Sequence, residues 1–187
     1  MLKWFLHRKL RAFERGQGYD ASYMHEVLDA DTEAFMKFAR ATSLGRYQKD
    51  VPTEVRVAAG LTSSIAADCG PCTQLGVGFA LAAGVSAETV AAIVRGDETA
   101  MSRDVALGVR FARAVLARDA AADECREEIL RRWGPRALLS MAYAVMAAQM
   151  YPALKYALGH GKACTRVVVA GQPVVPRARV AAAVGAA

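Results

Sequence analysis

Apolar residues in this chain recur every three or four positions, in segments that open at Pro, Ser or Asp and close at Gly. A stripe of that period lies on one face of an α-helix, whereas a half-buried strand needs strict alternation. Residues 1–16 put Leu2, Leu6, Leu10 and Phe13 on one face, and Gly16 and Gly18 end the run. A short helix through Tyr23, Met24, Val27 and Leu28 follows, and Asp31 or Thr32 caps a third that carries Phe35, Met36, Phe38 and Ala39. After a polar connection over 43–50, Pro52 suits the first turn of a helix reaching about Asp68, and Glu54 meets the positive end of its dipole. Cys69 and Gly70 break that helix. Pro71 opens the next, with Leu75, Phe79 and Leu81, and Gly84 ends it. Ser86 caps a short helix closed by Gly96, and a longer one runs roughly from Ser102 to Arg118. A helix over 122–133 stops at Gly134. Pro135 starts a long apolar helix, closed by Gly159 and Gly161.

Composition agrees with an all-α fold. The 187 residues are 54% hydrophobic and 22% charged, enough for one ordinary core and too apolar for a disordered chain. Aromatics are only 7%, and Ala, the best helix former, is abundant. The strand–helix alternation of a nucleotide-binding fold is absent, as are GxGxxG and GxxxxGK[ST]. The tail changes character. In TRVVVAGQPVVP, β-branched runs around Gly171 and Pro173 predict a short hairpin or an extended arm, and ARVAAAVGAA is expected to fray. The expectation is a single helical bundle over 1–164 with a C-terminal extension over 165–187.

The 24 basic and 18 acidic side chains give +6 and a pI near 9.4. Much of that excess is local. Residues 1–16 hold Lys3, Arg8, Lys9, Arg11 and Arg15 against Glu14, a net +4. Such a helix suits an anionic membrane or a nucleic acid. The reading preferred from sequence is a solvated face whose apolar stripe packs on the domain or on a neighbouring subunit. The segment from Ala137 to Leu158 has the length of a membrane span, but Gln149, Pro152 and Lys155 interrupt it, and it is read as a core helix. The N-terminus has no uninterrupted apolar run and no small-residue cleavage site, so the expected compartment is the cytoplasm. There thiols stay reduced unless they do redox work or bind metal.

Four cysteines are too few for a disulfide scaffold, yet two of them stand in Asp68-Cys69-Gly70-Pro71-Cys72, where one helix ends and another begins. A thiolate is the reactive form of cysteine, and a helix N-terminus favours it. Pro71 fixes the turn between the two thiols. Three readings fit: a redox-active pair, two thiols packing as small apolar groups, or part of a zinc site. For zinc, Cys125, Cys164 and three scattered histidines supply no second C-x-x-C. No cofactor motif is present. Cys125 reads as packing, the Met and aromatic residues from Met141 to Tyr156 as core or oligomer interface, Trp4 and Trp133 as core or interface anchors, and His7 and His25 as surface residues. The same tetrapeptide occurs in thioredoxin, but after a strand in a βαβ unit that this pattern does not offer.

The stretch from Glu54 to Asp97 joins a helix, C-x-x-C, a helix ending in Ala-Gly-Val, a Ser cap and a short helix to Gly-Asp. It resembles the carboxymuconolactone decarboxylase and alkylhydroperoxidase D-like superfamily. The resemblance implies an all-α fold and a trimer or larger homo-oligomer. It also implies a pair of cysteines that reduces a peroxide or disulfide substrate and is recycled by an external thiol reductant. By that pattern Cys72 attacks and Cys69 resolves, whereas the exposure order of thioredoxin would reverse the two. The family's proton relay uses a His four residues after the second cysteine and a Glu twelve before the first. Here those positions are Gly76 and Val57. Glu54, Asp68 and the Gly-flanked His160 are the groups expected to stand in. The alternatives are a decarboxylase-type lyase of the same superfamily and a non-catalytic helical interaction protein.

Overall fold

The computed structural model describes residues 1–162 and 166–177. Cys164 and the tail expected to fray, 178–187, lie outside the described residues. Among those described, eight α-helices follow in order: α1 (Leu2–Gln17), α2 (Ser22–Ala30), α3 (Thr32–Thr42), α4 (Thr53–Ala66), α5 (Gly70–Ala82), α6 (Ala87–Arg95), α7 (Arg103–Ala117) and α8 (Ala121–Ala157). The fold is all-α with one small hairpin, as the periodicity requires.

The helix ends have local causes. Asp31, Ser86 and Ser102 each accept a backbone N–H of the first turn they cap. In α8, Gly134 takes φ 80° and ψ −177°, a conformation open in practice to glycine alone, and Pro135 then restarts the helix. The two helices expected on either side of Gly134 are therefore present, joined across a kink within α8. The polar connection over 43–50 contains a single 3-10 turn, Ser43–Arg46.

Helix α4 is central, packed by α5, α6, α7 and α8. Ala58, Val77, Ile93, Val105 and Val109 form one cluster on it, and Val55, Leu107, Phe111, Ile129 and Met141 form another. At Gly108 a Cβ atom would lie 2.5 Å from the Val55 carbonyl oxygen, so α7 reaches this distance from α4 only because the residue is Gly. A third cluster, Tyr19, Tyr23, Met24, Leu28 and Phe35, sits under the N-terminal helices. Leu6 and Leu10 of α1, Leu75 of α5, and Tyr151 and Leu154 of α8 pack against it.

Phe79 is exposed, and the buried positions of α5 are Thr73, Val77 and Ala80. This helix contacts two clusters through Leu75 and Leu81, so its apolar residues do not mark a single face. Trp133 is an anchor in the second cluster, where Cys125 is also buried, whereas Trp4 is exposed. Helix α8 is long and apolar enough to cross a membrane by length and composition. Its Ala137, Met141 and Val145 are packed in the second cluster.

The tail forms a hairpin, β1 (Val167–Val169) with β2 (Gln172–Val174), turning at Ala170 and Gly171, both with positive φ. Val167, Val169 and Val174 are buried in the first cluster. The Gln74 side chain bonds both the N–H and the C=O of Val168, at 2.7 and 3.0 Å, and fastens the hairpin to α5.

Candidate active site

The site begins with the turn between α4 and α5. Helix α4 ends at Ala66, and Asp68 takes φ 52°, in the left-handed region. The chain thereby reverses so that Cys69 is the N-cap of α5 and Pro71 lies in its first turn. The Cys69 carbonyl accepts the Thr73 N–H at 2.9 Å and the Thr73 hydroxyl at 3.0 Å. The chain leaving α8 clamps the turn from outside. The Gly70 N–H donates to the Lys162 carbonyl at 3.0 Å, and the Tyr156 hydroxyl donates to the Asp68 carbonyl at 2.9 Å. Both thiols are free; Cys69 is fully buried and Cys72, one turn on, is partly exposed.

Three residues outside the motif complete the environment. Lys155, in the last turn of α8, is only 3% exposed. Its ammonium donates to Tyr19 Oη at 3.2 Å and lies 4.7 and 4.9 Å from the ring centroids of Tyr19 and Tyr23. Among the described residues no carboxylate forms an ion pair with it. Tyr19 Oη in turn lies 3.2 Å from Tyr23 Oη and 3.9 Å from Cys72 Sγ. Burial pushes both phenols up, so both keep their protons at neutral pH. Since Lys155 already donates to Tyr19, the Tyr19 proton is left for Cys72 Sγ or for Tyr23.

The two thiols are held apart in acidity. The Cys72 thiol faces Cys69 and draws it down to about 7, with help from the Cys72 backbone N–H and the Lys155 ammonium, against burial and the Asp68 carboxylate. Cys72 is pushed up, first by holding its proton toward the Cys69 sulfur and then by burial. The positive end of α5 favours the thiolate in the same sense. Cys69 is therefore the sulfur that ionises more readily, and Cys72 the one that keeps its proton.

The residues expected to assist are arranged differently. Glu54 is exposed in the first turn of α4, with roughly 18 Å of helix rise between it and Ala66. Asp68 adjoins Cys69, but its side chain is exposed and its charge opposes the thiolate. His160 bonds Glu26 at 2.9 Å and Ser22 at 3.4 Å, with its ring 6.2 Å from that of Tyr23. It flanks the tyrosine layer, and the hydrogen-bond partners of its ring among the described residues are Ser22 and Glu26, not a sulfur. A Cβ at Gly76 would lie 3.3 Å from Leu61 Cδ1, so this position, four residues after Cys72, serves close packing of α5 on α4. Val57 packs on the first cluster. His7 and His25, expected at the surface, are stacked with Nδ1 atoms 2.6 Å apart and are each bonded to a carboxylate.

Sequence reasoning missed Tyr19, Tyr23 and Lys155 as parts of this site. A signal existed for Lys155, a lone cation inside the apolar run of 137–158. The tyrosines gave none, because a phenol on or beside an amphipathic helix is ordinary core material. No group of three or more His, Cys, Asp or Glu side chains able to hold a metal ion occurs among the described residues. No protein-family model, curated protein or solved structure matches the chain.

Proposed function

We propose that this chain is a thiol-dependent redox protein that reduces a peroxide or a disulfide through Cys69 and Cys72. The observation that carries the reading is the buried Lys155 ammonium, bonded to Tyr19 Oη at 3.2 Å, which itself lies 3.9 Å from Cys72 Sγ; no carboxylate forms an ion pair with it among the described residues, and the nearby Asp20 carboxylate pairs with Lys162. A buried cation is costly without a counter-charge, and a thiolate supplies it. The resemblance of Glu54–Asp97 to alkylhydroperoxidase D-like proteins supports the same chemistry.

Cys72 is the sulfur a substrate can reach, and Cys69 is the better thiolate. Reaction therefore begins with transfer of the Cys72 proton to the Cys69 thiolate. The Cys72 thiolate attacks a peroxide oxygen. The S–O bond forms, the O–O bond breaks, and the alkoxide takes the proton back from Cys69. The Cys69 thiolate then attacks the Cys72 sulfenic acid. The S–S bond forms, hydroxide leaves, and a solvent proton converts it to water. Tyr19 is placed to donate to Cys72 Sγ while that sulfur carries charge. With a disulfide substrate the Cys72 thiolate breaks the substrate S–S bond and expels one thiolate, giving a mixed disulfide; Cys69 then attacks Cys72 Sγ and expels the second thiolate. An external thiol must then reduce the Cys69–Cys72 disulfide. In the cytoplasm, the compartment proposed here, the thiol pool serves that need. A homo-oligomer is part of the same proposal.

The test is turnover of hydrogen peroxide, an alkyl hydroperoxide and a small aromatic disulfide in the presence of dithiothreitol. Wild type should consume at least one of them and cycle through an intramolecular disulfide. Cys69→Ser and Cys72→Ser should each abolish turnover. Retained turnover in both variants sinks the proposal, and the absence of a reversible disulfide returns the chain to a non-catalytic interaction protein.

A further inference from the structure

The outward face of α1 is left unpartnered by the fold. Leu6 and Leu10 pack inward on the third cluster, and no residue of the helix is fully buried. The single carboxylate of α1, Glu14, is turned inward to His25 and to the Ala21 N–H. Lys3 and His7 are likewise tied to Asp29. The opposite half of the helix holds Trp4, 62% exposed, and Phe5, 46% exposed, among Arg8, Lys9, Arg11 and Arg15. None of those four cations forms an ion pair among the described residues. At the N-terminal end Met1 and Leu2 are exposed as well.

We propose that this face docks α1 in the plane of an anionic lipid bilayer, independently of the redox reading. Met1, Leu2, Trp4 and Phe5 enter the boundary between headgroups and acyl chains, and the four cations meet the lipid anions. Charge complementarity selects this occupant. A second copy of the face would set four cations against four cations. Stacking on nucleic-acid bases needs open ring faces. Here Arg8 already lies over Trp4 at 5.9 Å and Lys9 over Phe5 at 4.8 Å. Both cations have long apolar stems that can follow the rings into the interface. Each cation strengthens binding to an anionic surface about fivefold, so the contact is reversible and weakened by salt.

Co-sedimentation of the full chain with vesicles of equimolar phosphatidylserine and phosphatidylcholine tests the proposal. Wild type should bind these vesicles, release them at high salt and leave pure phosphatidylcholine vesicles unbound. Replacing Arg8, Lys9, Arg11 and Arg15 together by Gln should weaken binding by roughly a hundredfold or more. Trp4→Ala with Phe5→Ala should weaken it as well while the sedimentation coefficient of the free protein stays unchanged. All six positions are exposed, so circular dichroism should match wild type. Equal binding to pure phosphatidylcholine, or full binding by the Gln variant, overturns the proposal. So does a change in oligomeric state on loss of Trp4 and Phe5, which would make the face a subunit interface. Binding of a single-stranded oligonucleotide in preference to the vesicles would overturn it in favour of nucleic acid.

Discussion

Replacing Lys155 by Met removes the charge buried beside the thiol pair and keeps an unbranched side chain of similar length. The ammonium is 3.2 Å from Tyr19 Oη, which is 3.9 Å from Cys72 Sγ, so Lys155 Nζ lies within about 7 Å of that sulfur. At an effective dielectric constant near 20, unit charges at ~7 Å interact by about 2.4 kcal/mol, equivalent to somewhat under two pH units. The Cys72 thiol, the largest influence on Cys69, stays in place. The Cys69 midpoint, about 7, should therefore rise to roughly 8–9. A thiolate accumulates as pH rises through its pKa, so the midpoint of iodoacetamide alkylation moves to higher pH. At pH 7 the rate should fall roughly 5- to 50-fold, offset in part by the greater nucleophilicity of the more basic thiolate. At about pH 10 the two rates should converge. Folding should survive, because Met at a buried, unpaired ammonium removes a desolvation cost. An alkylation midpoint that does not move in Lys155→Met, or a wild-type midpoint already at that of an ordinary thiol, refutes the reasoning.

Three further outcomes are expected. Tyr19→Phe removes the hydroxyl between Lys155 and Cys72; the alkylation midpoint should rise by less than in Lys155→Met, and urea unfolding should show a loss of about 1–3 kcal/mol from the stranded ammonium. The two cysteines should respond with opposite signs. Cys72→Ala raises the midpoint of Cys69 by removing its largest stabiliser, while Cys69→Ala lowers that of Cys72, as measured by alkylation against pH. Gly108→Ala forces a Cβ onto the Val55 carbonyl and should cost about 1–3 kcal/mol in chemical denaturation, with thiol titration unchanged if the α4–α7 crossing is remote from the pair.

The helices were legible in the sequence because their causes are local. Asp31, Ser86 and Ser102 cap where they stand, and Gly134 with Pro135 breaks α8 by backbone sterics alone. The thiol pair was legible for the same reason, since a C-x-x-C at the start of α5 has its spacing and its helix dipole written within one turn. The hairpin was half legible. Val167 and Val169 announced a strand, but its docking on α5 through Gln74 spans a long stretch of chain. The exposure of Phe79 and Trp4 was not legible, because an apolar residue carries no mark of whether a neighbouring element will cover it.

What surrounds the thiols could not be read along the chain. Tyr19 lies between α1 and α2, and Lys155 ends α8, so the Lys155–Tyr19 bond joins residues that no local pattern relates. Glu54, Asp68 and His160 were candidates by their separation in sequence or by their residue type, and the fold put Glu54 at the far end of α4 and His160 beside Tyr23. The sequence by itself determined the helices, their ends and the presence of two thiols at a helix N-terminus, because those depend on backbone dihedrals and near-neighbour hydrogen bonds. Only the tertiary structure decided which thiol is buried, which donors face it and which cation balances it. Acidity in a low-dielectric interior depends on charges brought within a few ångströms by packing, wherever they stand in the chain.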